Sequence, residues 1–153
     1  MFWGIDINEY PFFHPNFKFV KGSICKTNFE DKFFDLIVSI STLEHIGLGW
    51  YGDNTKESDI MAIKEIKRIL KKDGLFIMTV PFGIKRETKV FRVYDSNSLN
   101  ELINGFEVVK ADYFVNFNDK YWCISTKEDA EKQDINIRGR NGATVCLVLK
   151  NIK

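Results

Sequence analysis

The sequence predicts an α/β protein with a mostly parallel sheet, because apolar strand segments alternate with amphipathic helical segments. Phe34–Ser39 has the pattern of a buried strand, residues 58–74 carry a helical apolar stripe, and Leu75–Val80 is a second apolar strand. A helix between two such strands forms a right-handed βαβ unit with parallel strands. The loop from Ser39 to Asp53 follows the first strand, and ligands bind at the carboxyl ends of parallel strands.

The bulk composition is that of one ordinary globular domain: 153 residues, 44% apolar and 28% charged. A net charge of +1 gives no electrostatic argument for binding nucleic acid or an anionic membrane. No apolar run approaches about 18 residues, and the first residues lack the pattern of a signal peptide. Cys25, Cys123 and Cys146 are scattered and odd in number, which indicates a reduced, cytoplasmic protein without a metal site.

Two short strands and two helix-end signals flank the central unit. Phe2–Ile7 and Phe17–Lys21 have strand patterns and are separated by a segment rich in proline and aromatic residues. Ser58 is a helix N-cap candidate, followed by Asp59 in the first turn. Gly74 stands where a left-handed residue would end that helix. We therefore expect helices on both faces of a largely parallel sheet.

The second half of the chain predicts one more helix and two more strands. The helix lies between residues 95 and 105, where Asp and Ser offer N-caps and Gly offers a stop. Residues 106–117 read as a strand with a possible bend, and Thr144–Leu149 is a final buried strand. With only a loop between them, these strands predict an antiparallel hairpin at one edge. Residues 126–133 are interpreted as a solvated loop or short surface helix, and 138–140 as a solvated turn.

Five segments in order resemble successive signatures of class I S-adenosylmethionine-dependent methyltransferases. These segments are Gly4–Ile7, Val20–Ile24, Phe34–Ile46, Ile66–Gly74 and Thr79–Gly83. Their spacing matches as well, and the resemblance covers roughly residues 2–115 and the last strand. The loop Leu43–Asp53, with Arg92–Asp95 downstream, is most similar to small uncharacterised methyltransferase-like proteins. The resemblance implies a Rossmann-like sheet of strand order 3-2-1-4-5-7-6, in which strand 7 is antiparallel.

Nothing in the chain matches strand 1 of that fold or the glycine-rich loop that follows it. The loop brings backbone amides to the cofactor, and strand 1 is the middle of the sheet. We therefore expect residues 1–153 to form one partial, N-terminally truncated domain in which cofactor binding is impaired. The strands on either side of the gap would either pair directly or leave two open edges.

The resemblance also implies a set of cofactor-binding residues. They are Asp6, Ile7, Ser23, Ile24, Ser39 and Ser41. A carboxylate at Asp6 would accept hydrogen bonds from the two ribose hydroxyls, although an ordinary loop acid is the alternative. Ser23 stands where the family often has an acid that contacts the adenine amino group, and a serine hydroxyl is a weaker partner for it. Ser39 and Ser41 would lie near the sulfonium, or simply cap the strand end.

Candidate catalytic and substrate residues come from the loop after the central strand and from a downstream segment. His45 is the candidate base for an oxygen nucleophile, and Glu44 is a second base or an orienting acid. A structural hydrogen-bonding histidine is the alternative. Tyr51, Asp53, Arg92 and Tyr94 would line a pocket for the methyl acceptor, whereas a surface salt-bridge network is the alternative for Arg92.

The leading functional hypothesis is S-adenosylmethionine-dependent methyl transfer to a hydroxyl of a small molecule or sugar. A non-catalytic interaction module that completes its sheet with a partner or a second copy is the alternative from a different class. A truncated gene product and a nicotinamide-dependent oxidoreductase are two further possibilities. We expect no nucleic acid and no membrane among its partners.

Overall fold

The computed structural model describes residues 1–118, 120–134 and 142–153, so the turn predicted at 138–140 lies outside the described residues. The strands are β1 Phe2–Asp6, β2 Phe17–Lys21, β3 Phe34–Ile40, β4 Leu70–Pro81, β5 Arg86–Glu87, β6 Arg92–Val93, β7 Phe106–Phe117, β8 Tyr121–Ser125 and β9 Ala143–Asn151. The helices are α1 Asp59–Ile69, α2 Ser96–Leu102 and α3 Lys127–Glu131, with a single 3₁₀ turn at Leu43–His45.

The main sheet has five strands in the order β3-β4-β9-β7-β8. β3 and β4 run parallel, as the βαβ pattern predicts, whereas β9 runs antiparallel to both β4 and β7. β1 and β2 form a separate parallel pair. This arrangement confirms the α/β class and reproduces the order implied by the resemblance on both sides of the missing strand 1.

The gap in the sheet leaves two strand edges open. β1 pairs with β2 alone and β3 with β4 alone among the strands of the described residues. A fold without its central strand could either pair the two flanking strands or leave both edges open. In the structure β1 and β3 do not pair with each other, so both edges are open. A cavity, described below, occupies the space between them at their carboxyl ends.

The closing hairpin differs from its prediction in position. β7 and β9 do pair antiparallel, and β7 is one strand with a register shift between Val108 and Lys110, as its predicted bend suggests. β9 lies between β4 and β7, as the implied order 5-7-6 requires, but β7 is not the edge: the edge strand is β8, Tyr121–Ser125. β8 is not among the predicted strands, although its aromatic and β-branched residues are typical of a strand.

Helix α1 starts as predicted and ends differently. The Ser58 hydroxyl accepts a hydrogen bond from the Met61 amide at 3.2 Å, which confirms the N-cap. The predicted left-handed stop at Gly74 is wrong: the helix ends at Ile69, and the residue with positive φ is Asp73, at 61°. Gly74 is needed for space instead, because a Cβ there would meet two backbone carbonyl oxygens at 2.9 and 3.1 Å.

The two shorter helices agree with the sequence pattern. Asp95 caps α2 through a reciprocal capping box with Ser98, and Gly105 follows the helix with φ of 84°. Thr126 caps α3, so a short helix is the correct alternative for this polar segment. In the part of the chain that the structure describes, no helix is long and apolar enough to cross a membrane.

The core lies on one face of the main sheet. β9 alternates over its whole length and β4 from Gly74 to Val80, and every second residue of these stretches is buried under the helices. Side chains from all three helices join this one buried cluster. The other face, to which the sequence pattern also assigns helices, carries partly exposed apolar side chains: Leu36, Val38, Ile40 and Leu75.

Candidate functional site

A cavity of about 380 Å³ lies between the β1–β2 pair and the end of β3. Its lining includes these residues predicted from the sequence: Asp6, Ile7, Ser23, Ile24, Ser39, Ser41, His45, Tyr51 and Asp53. The cavity is at the carboxyl ends of parallel strands, the position expected for a ligand in an open α/β sheet. Three further predicted residues, Glu44, Arg92 and Tyr94, do not line it.

Asp6 stands at the end of β1 and is oriented by its own turn. Its Oδ1 accepts a hydrogen bond from the Asn8 amide at 2.8 Å, and its carbonyl accepts one from the Gly22 amide at 2.8 Å. The second bond ties the end of β1 to the residue that follows β2. A carboxylate has about four acceptor positions, so the bond from Asn8 leaves capacity for ligand hydroxyls.

Ser23 is not a lone hydroxyl, because it is paired with an acid. Its Oγ donates to Glu57 Oε2 at 2.7 Å and accepts from the Cys25 amide at 3.1 Å. Glu57 also lines the cavity. Burial raises the pKa of the neighbouring Cys25 thiol, and the Glu57 carboxylate adds to that effect. Sequence reasoning missed Glu57; its position immediately before the Ser58 N-cap is the signal that could have found it.

His45 is held in one tautomer by a backbone carbonyl. Its Nδ1 lies 2.6 Å from the Val90 carbonyl oxygen. A carbonyl can only accept, so Nδ1 carries the proton and Nε2 of the neutral ring has a free lone pair. The ring also packs edge-on against Tyr51, with centroids 5.1 Å apart. His45 therefore presents the chemistry of a proton acceptor at the wall of the cavity.

Glu44 is buried behind His45 rather than exposed to the cavity. Its side chain is in the 3₁₀ turn, and Oε1 lies 3.7 Å from His45 Nε2. Oε2 is buried and has no hydrogen-bond partner among the described residues. Burial raises the pKa of Glu44, because an ionised carboxylate loses its hydration there. Glu44 is thus a neighbour of His45 and does not line the cavity.

Asp53 closes the loop that carries His45 and Tyr51. Its Oδ2 accepts a hydrogen bond from the Gly47 amide at 2.5 Å. Gly47 has φ of 81°, and a side chain there would collide with the Glu57 carbonyl oxygen. The loop and the start of α1 are thus in close backbone contact, which places Glu57 at the cavity.

Arg92 and Tyr94 lie outside the cavity that the other predicted residues line. Arg92 donates to the Ile46 carbonyl at 2.7 Å and to Glu87 at 2.8 Å, so it connects β6 to the loop. The Tyr94 hydroxyl donates to Asp59 Oδ2 at 2.7 Å, and burial raises its pKa. Both line a second cavity, of about 230 Å³, against α2. Arg92 therefore supports the loop, whereas Tyr94 is bonded to the start of α1.

Several solved structures similar to this chain are methyltransferases, and another is the [4+2]-cyclase SpnF, which is 17% identical with a TM-score of 0.57. A S-adenosylmethionine-dependent methyltransferase from Methanosarcina mazei is 14% identical, with 98% of this chain and 81% of that chain covered and a TM-score of 0.62. The 1,6-didemethyltoxoflavin-N1-methyltransferase from Burkholderia thailandensis, with S-adenosylhomocysteine bound, is 14% identical over 99% of this chain and 61% of that chain, with a TM-score of 0.65.

A third similar structure is the Haloferax volcanii methyltransferase in complex with the Trm112 methyltransferase activator. It is 17% identical over 97% of this chain and 71% of that chain, with a TM-score of 0.57. With the strand order and the cavity described above, these likenesses confirm the resemblance at the level of the fold. The chain has the fold of class I S-adenosylmethionine-dependent methyltransferases.

The family of the chain is narrower than this fold. Residues 17–152 match the family described as Caenorhabditis protein of unknown function, DUF268, and the chain belongs to that family. No curated protein matches the chain significantly.

Proposed function

We propose that this protein transfers a methyl group from S-adenosylmethionine to a hydroxyl of a small molecule or sugar. The observation that carries the proposal is that Asp6 and His45, whose Nε2 is left unprotonated by the Nδ1 hydrogen bond, line one cavity. The imidazole of His45 suits removal of a proton from an alcohol, and the carboxylate of Asp6 suits hydrogen bonds from the hydroxyls of a ribose. The likeness to methyltransferases of known structure supports the same reading.

The residues present fit the cofactor on one side. Asp6 offers acceptors for two adjacent hydroxyls, and Ile7 and Ile24 offer apolar surface for a flat ring. Ser39 and Ser41 offer hydroxyls at the end of β3. When bound, S-adenosylmethionine supplies an electrophilic methyl group on a sulfonium. Since no described strand lies between β1 and β3, we expect the chain alone to bind this cofactor weakly.

His45 has a defined part in the chemistry. As the oxygen–methyl bond forms and the methyl–sulfur bond breaks, with its electron pair left on sulfur, the hydroxyl proton of the methyl acceptor would pass to Nε2, and Nδ1–H would keep its bond to the Val90 carbonyl. The resulting imidazolium is stabilised by that carbonyl and by the Glu44 carboxyl group 3.7 Å from Nε2. Positioned general bases contribute about 10² to 10⁴ in rate.

The test uses the two histidines of the chain. Methyl transfer from radiolabelled S-adenosylmethionine is measured on a panel of sugars and small alcohols. His45→Gln is expected to lower the rate about a hundredfold, whereas the control His14→Gln, at an exposed loop position, leaves it unchanged. Equal rates for wild type and His45→Gln would reject His45 as the base.

Cofactor binding is tested separately by calorimetric titration with S-adenosylhomocysteine. Weak binding is expected, and tight binding would contradict the claim that the gap between β1 and β3 matters. Absence of any binding at millimolar ligand, followed by NMR, would reject the methyltransferase proposal itself.

The open edges of β1 and β3 favour a second candidate, a non-catalytic module that completes its sheet with a partner or a second copy. A protein partner is in keeping with the Trm112 complex of the similar Haloferax methyltransferase. Size-exclusion chromatography with light scattering distinguishes the candidates, because a stable cofactor-free monomer argues against sheet completion. For either candidate we propose a reducing, cytoplasmic location, in which the free thiols of Cys25, Cys123 and Cys146 persist.

A further inference from the structure

Glu57 is the acid of the cavity that the sequence motifs do not account for. It lies 34 positions after Ser23 in the chain, yet its Oε2 accepts a hydrogen bond from the Ser23 hydroxyl, with 2.7 Å between the two oxygens. Both residues line the cavity, on the side formed by the segment after β2. One bond from Ser23 leaves the carboxylate with acceptor positions for a ligand.

The backbone around Glu57 is held on both sides. Ser58 follows directly as the N-cap of α1, and its carbonyl accepts hydrogen bonds from the Ala62 amide and the Cys25 thiol. Gly47 approaches the Glu57 carbonyl so closely that no side chain fits there. The Glu57 carboxylate is therefore presented by a fixed segment, as recognition of a small group requires.

The neighbours of this carboxylate indicate what it would recognise. Ile7 and Ile24 provide apolar surface in the same cavity, and Asp6 provides a second carboxylate at the end of β1. Apolar surface in a cavity that two carboxylates also line suits a flat ring that carries hydrogen-bond donors. A purine nucleoside with an amino group on its ring is such a ligand.

We propose that Glu57, positioned by Ser23, recognises the exocyclic amino group of a purine ring bound in this cavity. The inference rests on the proposed function, in which that ring is the adenine of the cofactor. In this chain the acid, Glu57, comes from the residue before the N-cap of α1. The position after β2, where the resemblance implies an acid, is occupied by Ser23. The Ser23 hydroxyl alone would bind an amino group weakly and without selectivity, because a hydroxyl can either donate or accept a hydrogen bond. The Glu57 carboxylate only accepts, and its charge strengthens the hydrogen bond from an amino group.

The experiment compares adenosine with purine riboside, which differs only by lacking the amino group. Both are titrated at millimolar concentration, and the amide resonances of the cavity are followed by NMR. Wild type is expected to bind adenosine roughly tenfold more tightly, the effect of one hydrogen bond to a charged group. Glu57→Gln should reduce this preference, and Glu57→Leu should abolish it.

Glu30→Gln is the matched control, because it removes the same charge from an exposed residue outside the cavity. It should keep the full preference for adenosine. An unchanged preference in both Glu57 variants would overturn the inference, and so would equal weakening of both ligands, which indicates a purely structural role. If wild type binds neither nucleoside nor S-adenosylhomocysteine, the proposed function fails as well. If wild type binds adenosine and Glu57 does not affect the preference, only this inference fails.

Discussion

The two faces of the main sheet are built from the same strands and have opposite environments. On β4, Phe76 and Met78 are 0% exposed, whereas on neighbouring β3, Leu36 and Val38 of the other face are 49% and 55% exposed. α1 and α2 contact each other and cover the first face, together with α3. The difference teaches that the described helices stabilise the fold from one side only.

The comparison predicts a large asymmetry between neighbouring residues of one strand. Phe76→Ala should lower the free energy of unfolding by about 3–5 kcal/mol, because it empties a closed site against the Phe106 ring. Leu75→Ala, one residue earlier on the open face, should cost less than about 1 kcal/mol. Chemical denaturation measures both, and similar losses would show that the open face is covered in solution.

A smaller effect, with a defined pH dependence, is expected at Glu44. Its pKa is raised in the folded state, so its contribution to stability is present at acidic pH and is lost as the pH rises through that raised pKa. Glu44→Gln should therefore stabilise the protein by about 1–3 kcal/mol at pH about 8 and have little effect at acidic pH.

Glu65 is the matched control with the opposite sign. Its hydrogen bonds with Arg68 lower its pKa to about 2, so its contribution is present above the ordinary value of 4.5 and is lost as the pH falls. Thermal melts of both Gln variants across pH provide the measurement. A Glu44→Gln variant that is less stable at alkaline pH would mean that the carboxylate has a partner.

The smallest effect is expected on the open face itself. Val38→Thr and Ile40→Thr should change the free energy of unfolding by no more than about 0.5 kcal/mol, because both side chains are already more than half exposed. Both changes should also reduce self-association, measured by light scattering. Losses comparable to that of Phe76→Ala would remove the distinction between the faces.

Local sequence signals predicted most of the fold. The Ser58 cap, the apolar stripe of α1 and the strands around it depend on neighbouring residues, and these predictions are confirmed. The predicted helix stop at Gly74 was wrong because a glycine can also be required where two backbone segments lie close together. Here one of those segments is Asp35 of β3, which sequence spacing does not reveal. β8 was missed because its strand character depends on pairing with β7.

The site was less accessible from the sequence than the fold. Strand-end residues such as Asp6 and Ser39 could be placed at one cavity, since parallel strands bring their carboxyl ends together. Hydrogen bonds between residues far apart in the chain could not be predicted from sequence spacing. Examples are the bond from Ser23 to Glu57 and the bond from Arg92 to the Ile46 carbonyl. The roles of the individual site residues remain predictions.

The separation of the β1–β2 pair from the main sheet has a consequence for local stability. An isolated two-stranded ribbon is marginal in water, so the amides of β1 and β2 should exchange with solvent faster than those of β4 and β9. One wall of the cavity is thus expected to be less protected than the main sheet. A ligand that contacts both Asp6 and Ser39 would link the β1–β2 pair to the main sheet. Part of its binding free energy would then offset the entropy lost when the β1–β2 pair becomes ordered.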